Sequence, residues 1–164
     1  MKLRPYKFED GKYICSWIKS EEELYKWSAD RFNKFPLYAE DIEASYAPQL
    51  ATGHFYPLTA IDKNENVVGH FIIRFPDPED LSIVRFGFVI VAPEIRGKGF
   101  GQEMLRLGIQ YAKNELKAKR VCLGVFENNE SARKCYEAVG FTKCSEEKYK
   151  IANAIWNCIE MELF

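Results

Sequence analysis

Histidine is scarce in this chain. There are two, His54 and His70, and neither falls into a metal-ligand spacing. The five cysteines, Cys15, Cys122, Cys135, Cys144 and Cys158, are odd in number and form no CxxC pair. A metal site and a disulfide framework are therefore not expected. Reduced thiols in a cytoplasmic protein are the expectation instead. No apolar run approaches the roughly 18 residues that cross a bilayer, so no membrane association is expected. The opening MKLRPYKFED lacks the apolar region of a secretory signal. Charge of neither sign dominates: 23 Lys and Arg face 24 Asp and Glu, for a net charge of −1. That balance lacks the basic excess of a nucleic-acid binder.

What is present is core-forming material. Of 164 residues, 47% are hydrophobic and 15% aromatic, which suits one domain over residues 1–164. Lys2–Tyr6 reads as an edge strand that tolerates Pro5. Asp10–Arg31 reads as helical, with Tyr13, Trp17, Leu24 and Trp27 spaced for apolar faces and Ser20 capping a second helix. Ala39–Leu50 suggests a further helix ending near Pro48. His54–Asp62 and Asn66–Phe75 form a hairpin about the turn Asp62–Asn66, and Leu81–Val91 is apolar enough for mid-sheet. Leu105, Ile109, Ala112 and Leu116 share one face of the next helix. Arg120–Phe126 reads as a buried strand, Asn129 caps a short helix that stops at Gly140, and Trp156–Phe164 alternates as a terminal strand. The crossover after Val91 requires a parallel pair within an α/β mixed sheet.

The stretch VIVAPEIRGKGFGQEML places Gly97, Gly99 and Gly101 at alternate positions before that helix. Glycine weakens regular structure, so such a cluster is either a plain capping loop or a cradle where backbone must approach an anion. A helix start offers free N–H groups and partial positive charge, and Arg96 and Lys98 add to it. The P-loop pattern GxxxxGK[ST] is absent. The dinucleotide pattern GxGxxG is absent too, and Arg120 and Val121 stand where its acidic ribose partner would be.

The run Arg96-Gly97-Lys98-Gly99-Phe100-Gly101, preceded by Val91 and Pro93, resembles the R/Q-x-x-G-x-G/A signature of the GCN5-related N-acetyltransferase (GNAT) superfamily. A second element, Asn129, Ala132, Tyr136, Gly140 and Phe141, resembles that family's N-x-x-A-x-x-x-Y-x-x-x-G-F segment. The likeness is close from about Val67 onward and looser at the start, where it runs to RimI/RimJ/RimL-type and small-molecule branches. It implies a mostly antiparallel sheet of six to seven strands with a splayed parallel pair, flanked by helices. Acetyl-CoA is the implied co-substrate. Val89, Ile90 and Val91 would meet its pantetheine arm, Arg96 to Gly101 its pyrophosphate, and Asn129 the arm or a water beside it. Tyr136 would protonate the departing thiolate. The implied reaction is direct attack by a primary amine, on a small molecule or a protein N-terminus, in a ternary complex; a homodimer is common among relatives. The alternative is a CoA-binding or sensing module with weak catalysis.

That alternative arises because Leu81–Val91 contains no carboxylate, where many relatives place a glutamate base. Glu79, Asp80, Asp30, Glu40, Asp41 and His70 are candidates, and a water relay is another. Glu21, Glu22, Glu23, Asp30, Glu40, Asp41 and Glu43, with Tyr25, Trp27 and Phe32, form an acidic, aromatic stretch. It is either a wall for a cationic amine or a solvated helix surface.

Overall fold

A computed structural model describes all 164 residues, Met1–Phe164. The strands are β1 (Lys2–Pro5), β2 (Phe55–Ile61), β3 (Val67–Arg74), β4 (Ile83–Val91), β5 (Arg120–Phe126), β6 (Thr142–Ile151) and β7 (Ala154–Leu163). They form one seven-stranded sheet in the order β1-β2-β3-β4-β5-β7-β6. The helices are α1 (Gly11–Trp17), α2 (Glu21–Ser28), α3 (Ala39–Leu50), α4 (Phe100–Asn114) and α5 (Glu130–Val139). Every neighbouring strand pair is antiparallel except β4–β5. Short turns join β2 to β3 and β3 to β4, whereas α4 carries the chain over the sheet between β4 and β5. The α/β mixed sheet expected from the sequence is the one observed. No helix is long and apolar enough to cross a membrane.

Each sheet face has its own apolar cover. On one, Met104, Leu105, Ile109 and Ala112 of α4 and Tyr136 of α5 pack with Phe71, Phe86, Val121 and Leu123. Leu116 lies past the end of α4 but still packs against this core. On the other, Ile14, Trp17, Leu24, Ile42 and Tyr46 from α1–α3 pack with Phe55, Ile72 and Phe88.

Local details depart from the sequence reading. Tyr13 is 39% exposed, and its neighbour Ile14 is the buried residue instead. The helical stretch breaks at Ile18, which is extended, and restarts where the Ser20 Oγ accepts the Glu23 N–H at 3.1 Å. Helix α3 runs through Pro48 to Leu50. A proline this late removes one N–H from the last turn, which closes through Ala51 N–H to Ala47 O at 3.3 Å.

The feature that shapes the functional region is an irregularity in β4. Ile72 pairs with Gly87 and His70 with Ile90, so two steps along β3 are matched by three along β4. The extra residue is a β-bulge, and Phe88 within it has φ +51°. A non-glycine residue in this region costs about 1–3 kcal/mol. The bulge also reverses a side chain. Phe86 faces the α4 side, and simple alternation would send Phe88 the same way. Phe88 instead packs among α1–α3, 5.0 Å from Trp27, 6.0 Å from Phe32 and stacked on Tyr46 at 6.0 Å. That burial offsets the strain. The β4–β5 ladder joins only Ile83, Val84 and Arg85 to Arg120, Val121 and Cys122, and beyond it the strands part.

Phe88→Ala is expected to lower unfolding stability by about 3–5 kcal/mol, the usual range for a buried Phe. Urea denaturation checks this. A loss below about 1 kcal/mol would show that the bulge does not depend on its ring.

Candidate active site

The parting of β4 and β5 opens a cleft of about 440 Å³. Val89, Ile90 and Val91 form one wall, and Asn129, Ala132 and Tyr136 of the α5 region form another. The β4 wall offers backbone as well as side chains. The Ala92 N–H donates to Val68 O at 2.9 Å, and Ile90, two residues earlier, pairs with His70, so both face β3. Successive residues of a strand alternate in direction, so Val91 turns its N–H and C=O away from β3, toward the opening. Its carbonyl accepts from Arg96 Nε at 3.1 Å. Its N–H meets no strand, because the ladder to β5 has already ended.

The end of the cleft is the start of α4. Gly97 and Gly99 have φ of +74° and +84°, and Gly99 is the N-cap. Nothing lies within 4 Å of where a Cβ on either would stand, so a side chain there would occupy the cleft itself. The first helical bond runs from Glu103 N–H to Gly99 O at 3.0 Å, which leaves the N–H groups of Phe100, Gly101 and Gln102 without helical acceptors. The backbone thus forms a concave run of donors at the positive end of a 15-residue helix. Arg96, Gly97, Gly99 and Gly101 line the cleft, while the side chains of Lys98 and Phe100 do not. Lys98 folds back, its Nζ donating to Glu94 O at 3.0 Å. Gln102 lines the cleft and was not singled out in the sequence; its place one residue past the last glycine was the available signal.

Asn129 does two things at once. Its Oδ1 accepts the Ala132 N–H at 3.4 Å as the α5 cap, and the residue also lines the cleft. The amide NH₂ is the part left for a ligand. Tyr136 is 7% exposed and packs edge-on against Phe141 at 6.2 Å. Burial, and secondarily the neighbouring Cys135 thiol, push its phenol well above the ordinary range. It therefore stays protonated and acts as a donor. These residues fit a pyrophosphate-bearing thioester such as acetyl-CoA: donors where the anion lies, free backbone along a narrow apolar wall, and a proton donor at the wall opposite.

None of the carboxylates proposed as base from the sequence lines the cleft, and His70 does not either. Asp80 caps the turn before β4, accepting from Ser82 Oγ at 2.6 Å. Asp41 accepts the Tyr38 N–H at 2.9 Å and pairs with Lys34 at 2.9 Å. Asp30 and Glu40 are not in the cleft, and Glu79 lies in the turn before β4. The acidic stretch is largely occupied: Tyr25 donates to Glu21 at 2.6 Å and Lys26 pairs with Glu22 at 3.1 Å. Glu23 alone among the acids lines the cleft, at the α2 rim, with one oxygen accepting the Lys19 N–H at 2.7 Å.

His70 is fully buried, its Nε2 2.8 Å from the Tyr46 hydroxyl. Burial depresses its pKa to about 3, so the ring is neutral. A histidine whose folded pKa lies below its unfolded one binds fewer protons when folded. Stability is then full above the unfolded value, near 6.5, and falls as pH drops toward 3. Denaturation midpoints of the wild type and His70→Gln should therefore differ in slope across that window. Parallel slopes would show that His70 does not titrate on unfolding.

Comparison with known proteins agrees with this geometry. The sequence profile of the acetyltransferase (GNAT) family matches residues 18–141. An N-acetyltransferase 9-like protein of Nematostella vectensis is 27% identical over 153 residues, 89% of this chain and 76% of that protein. The mycothiol acetyltransferase of Corynebacterium efficiens is 36% identical over 130 residues, 77% of this chain but 40% of that protein's length. The spermidine N-acetyltransferase of Vibrio cholerae, solved with CoA and spermine, superposes with a TM-score of 0.81 at 19% identity, covering 99% of this chain and 94% of that one. The profile match spans most of the chain and takes in both the glycine cradle and Tyr136: the chain belongs to the acetyltransferase (GNAT) family and is an acetyl-CoA-dependent N-acetyltransferase.

Proposed function

We propose that acetyl-CoA lies along β4 with its pyrophosphate on the start of α4, and that a primary amine enters from the α1–α2 side to take the acetyl group. The observation that carries this reading is the parting of β4 from β5 beyond Arg85, with free backbone on one wall and Tyr136 on the other. Acetyl-CoA supplies the activated thioester. The N–H groups from Gly97 to Gln102, with Arg96, hold the pyrophosphate; Lys98 and Phe100 contribute through their backbone. Val89, Ile90 and Val91 line the pantetheine arm, and the Val91 N–H polarises the thioester carbonyl. The Asn129 amide steadies the arm. Tyr136 gives its proton to the departing thiolate; burial weakens the phenol as an acid, and the same burial makes the thiolate a stronger base, which keeps the transfer within reach.

The acceptor arrives as an ammonium and must lose a proton before it attacks. No buried base faces the cleft, so that proton leaves by water at the rim where Glu23 stands. Holding amine and thioester together supplies much of the acceleration. A relative named spermine/spermidine N(1)-acetyltransferase, from Bacillus subtilis, is 44% identical over 46 residues, 28% of this chain and 30% of its own length, which makes a cationic amine the first class to try. The five free thiols suit a reducing compartment, which supports a cytoplasmic setting.

CoA release with a panel of primary amines tests the reading. Gly99→Asp sets a charged side chain on a left-handed residue inside the cradle and is expected to abolish acetyl-CoA binding by calorimetry. Tyr136→Phe is expected to keep that binding and lower kcat by about 10²–10⁴-fold. Unchanged affinity in the first variant sinks the cradle; an unchanged kcat in the second removes Tyr136 as the acid.

A further inference from the structure

The sheet face opposite α4 and α5 carries charges that the acetyl-transfer steps do not use. Arg74 on β3 and Arg85 on β4 stand directly opposite each other in the ladder, so both side chains leave the same face. Like charges so placed repel. Arg85 has a partner: its Nη1 and Nη2 donate to the two oxygens of Glu160, on β7, at 2.6 and 3.1 Å. The Glu160 side chain is 13% exposed and fully engaged by this fork. Arg74 is half-buried yet forms no ion pair and no side-chain hydrogen bond. Burial, then the charges of Arg85 and Arg31, pull its pKa below the usual guanidinium value, and Glu160 is the sole carboxylate acting the other way. Arg31 forms no ion pair either. Arg74 and Arg85 thus face one carboxylate between them, with Arg31 a third cation acting on Arg74.

The cluster borders the opening. The β4–β5 ladder ends at Arg85–Cys122, and the next positions on this face are Gly87 and Gly124. A Cβ on Gly124 would stand 2.7 Å from Arg85 Nη2 and 3.0 Å from Glu160 Oε1. The ion pair therefore lies flat across β5 and fills the place over Gly124, while a Cβ on Gly87 would meet only Ile72, at 3.4 Å, which leaves room beside Gly87 where the strands part. One repeat of alternation, about 7 Å, separates the Arg85 row from the Gly87 row. Phe32 packs on Phe88 and Trp27, which brings the segment bearing Arg31 over this corner.

We propose that the acceptor carries a carboxylate a short chain away from its amine, and that Arg74, with Arg31 beside it, binds this carboxylate while the amine reaches the cleft through the gap beside Gly87. The Arg85–Glu160 pair forms the rim of that gap. This inference rests on the acetyl-transfer reading above and narrows its acceptor from any amine to an amino acid or an acidic peptide. The unpaired, half-buried Arg74 guanidinium selects for it by staying partly desolvated without a partner when a plain amine binds.

Two matched pairs test it: ε-aminocaproate against hexylamine, and the C-terminal amide of glycylglycylglutamate against the C-terminal amide of glycylglycylglutamine. The wild type is expected to favour at least one acid over its partner by about tenfold or more in kcat/KM. A preference confined to the first pair assigns a free amino acid, and one confined to the second a polypeptide. Arg74→Gln should bring the ratio to within about twofold of one, with Arg74→Lys between. The melting temperature of Arg74→Gln should not fall, since a repulsion is relieved; an arginine with a structural role would move the melting temperature and leave the ratio. A wild-type ratio near one, or a preference surviving Arg74→Gln, overturns the inference. If no amine is turned over, the acetyl-transfer reading fails by itself. Calorimetric titration of ε-aminocaproate into CoA-saturated protein then decides the site. Binding that exceeds that of hexylamine and is lost in Arg74→Gln supports it; equal or absent binding overturns it.

Discussion

The contact between Phe88 and the aromatic rings of α2 and α3 is the constraint on which the functional region depends. A phenylalanine is held in a left-handed conformation by Trp27, Phe32 and Tyr46. That conformation adds one residue to β4 and turns its end away from β5. Without the bulge the parallel pair would continue, and the N–H groups that now face open space would be bonded to a strand. The N-terminal helices are therefore more than a cover for one sheet face. They clamp the residue that keeps the sheet open.

Much of this was legible in the sequence, and the reasons differ by feature. Strand identities followed from alternation and turn chemistry except for β6, which is polar and almost wholly exposed, and the parallel pair followed from the length of the crossover. The cradle was legible because Gly97 and Gly99 are required by backbone conformation, which leaves a mark in composition. Asn129 and Tyr136 carried both a motif and a local role. The bulge was not legible: Phe86 and Phe88 share the spacing of a regular strand yet face opposite sides, because the aromatic partners of Phe88 lie far away in the sequence. The acidic stretch stayed open between a wall for an amine and a solvated helix surface for a related reason. Glu21, Glu22 and Asp41 are taken up by partners that composition cannot pair with them.

Charge is divided between the two faces of the sheet. On the α4 side the donors are backbone N–H groups, fixed in place by the helix. On the other, Arg74 and Arg85 face Glu160 alone, with Arg31 acting on Arg74, and the balance is set by side chains. The opening between the strands starts where these two environments meet, one proposed to hold a phosphate ester and one with spare cations. The neutral total of the sequence conceals this local excess.

The proposed recognition through main chain at the start of α4 has a consequence for how such a protein diverges. The cradle asks for missing side chains at Gly97 and Gly99 and places few demands on Lys98 or Phe100, which look elsewhere. A lineage can therefore rewrite the surface around the cradle, and exchange every charged residue on the opposite sheet face, while the thioester donor stays the same. Drift is channelled into the choice of recipient, and the donor is inherited.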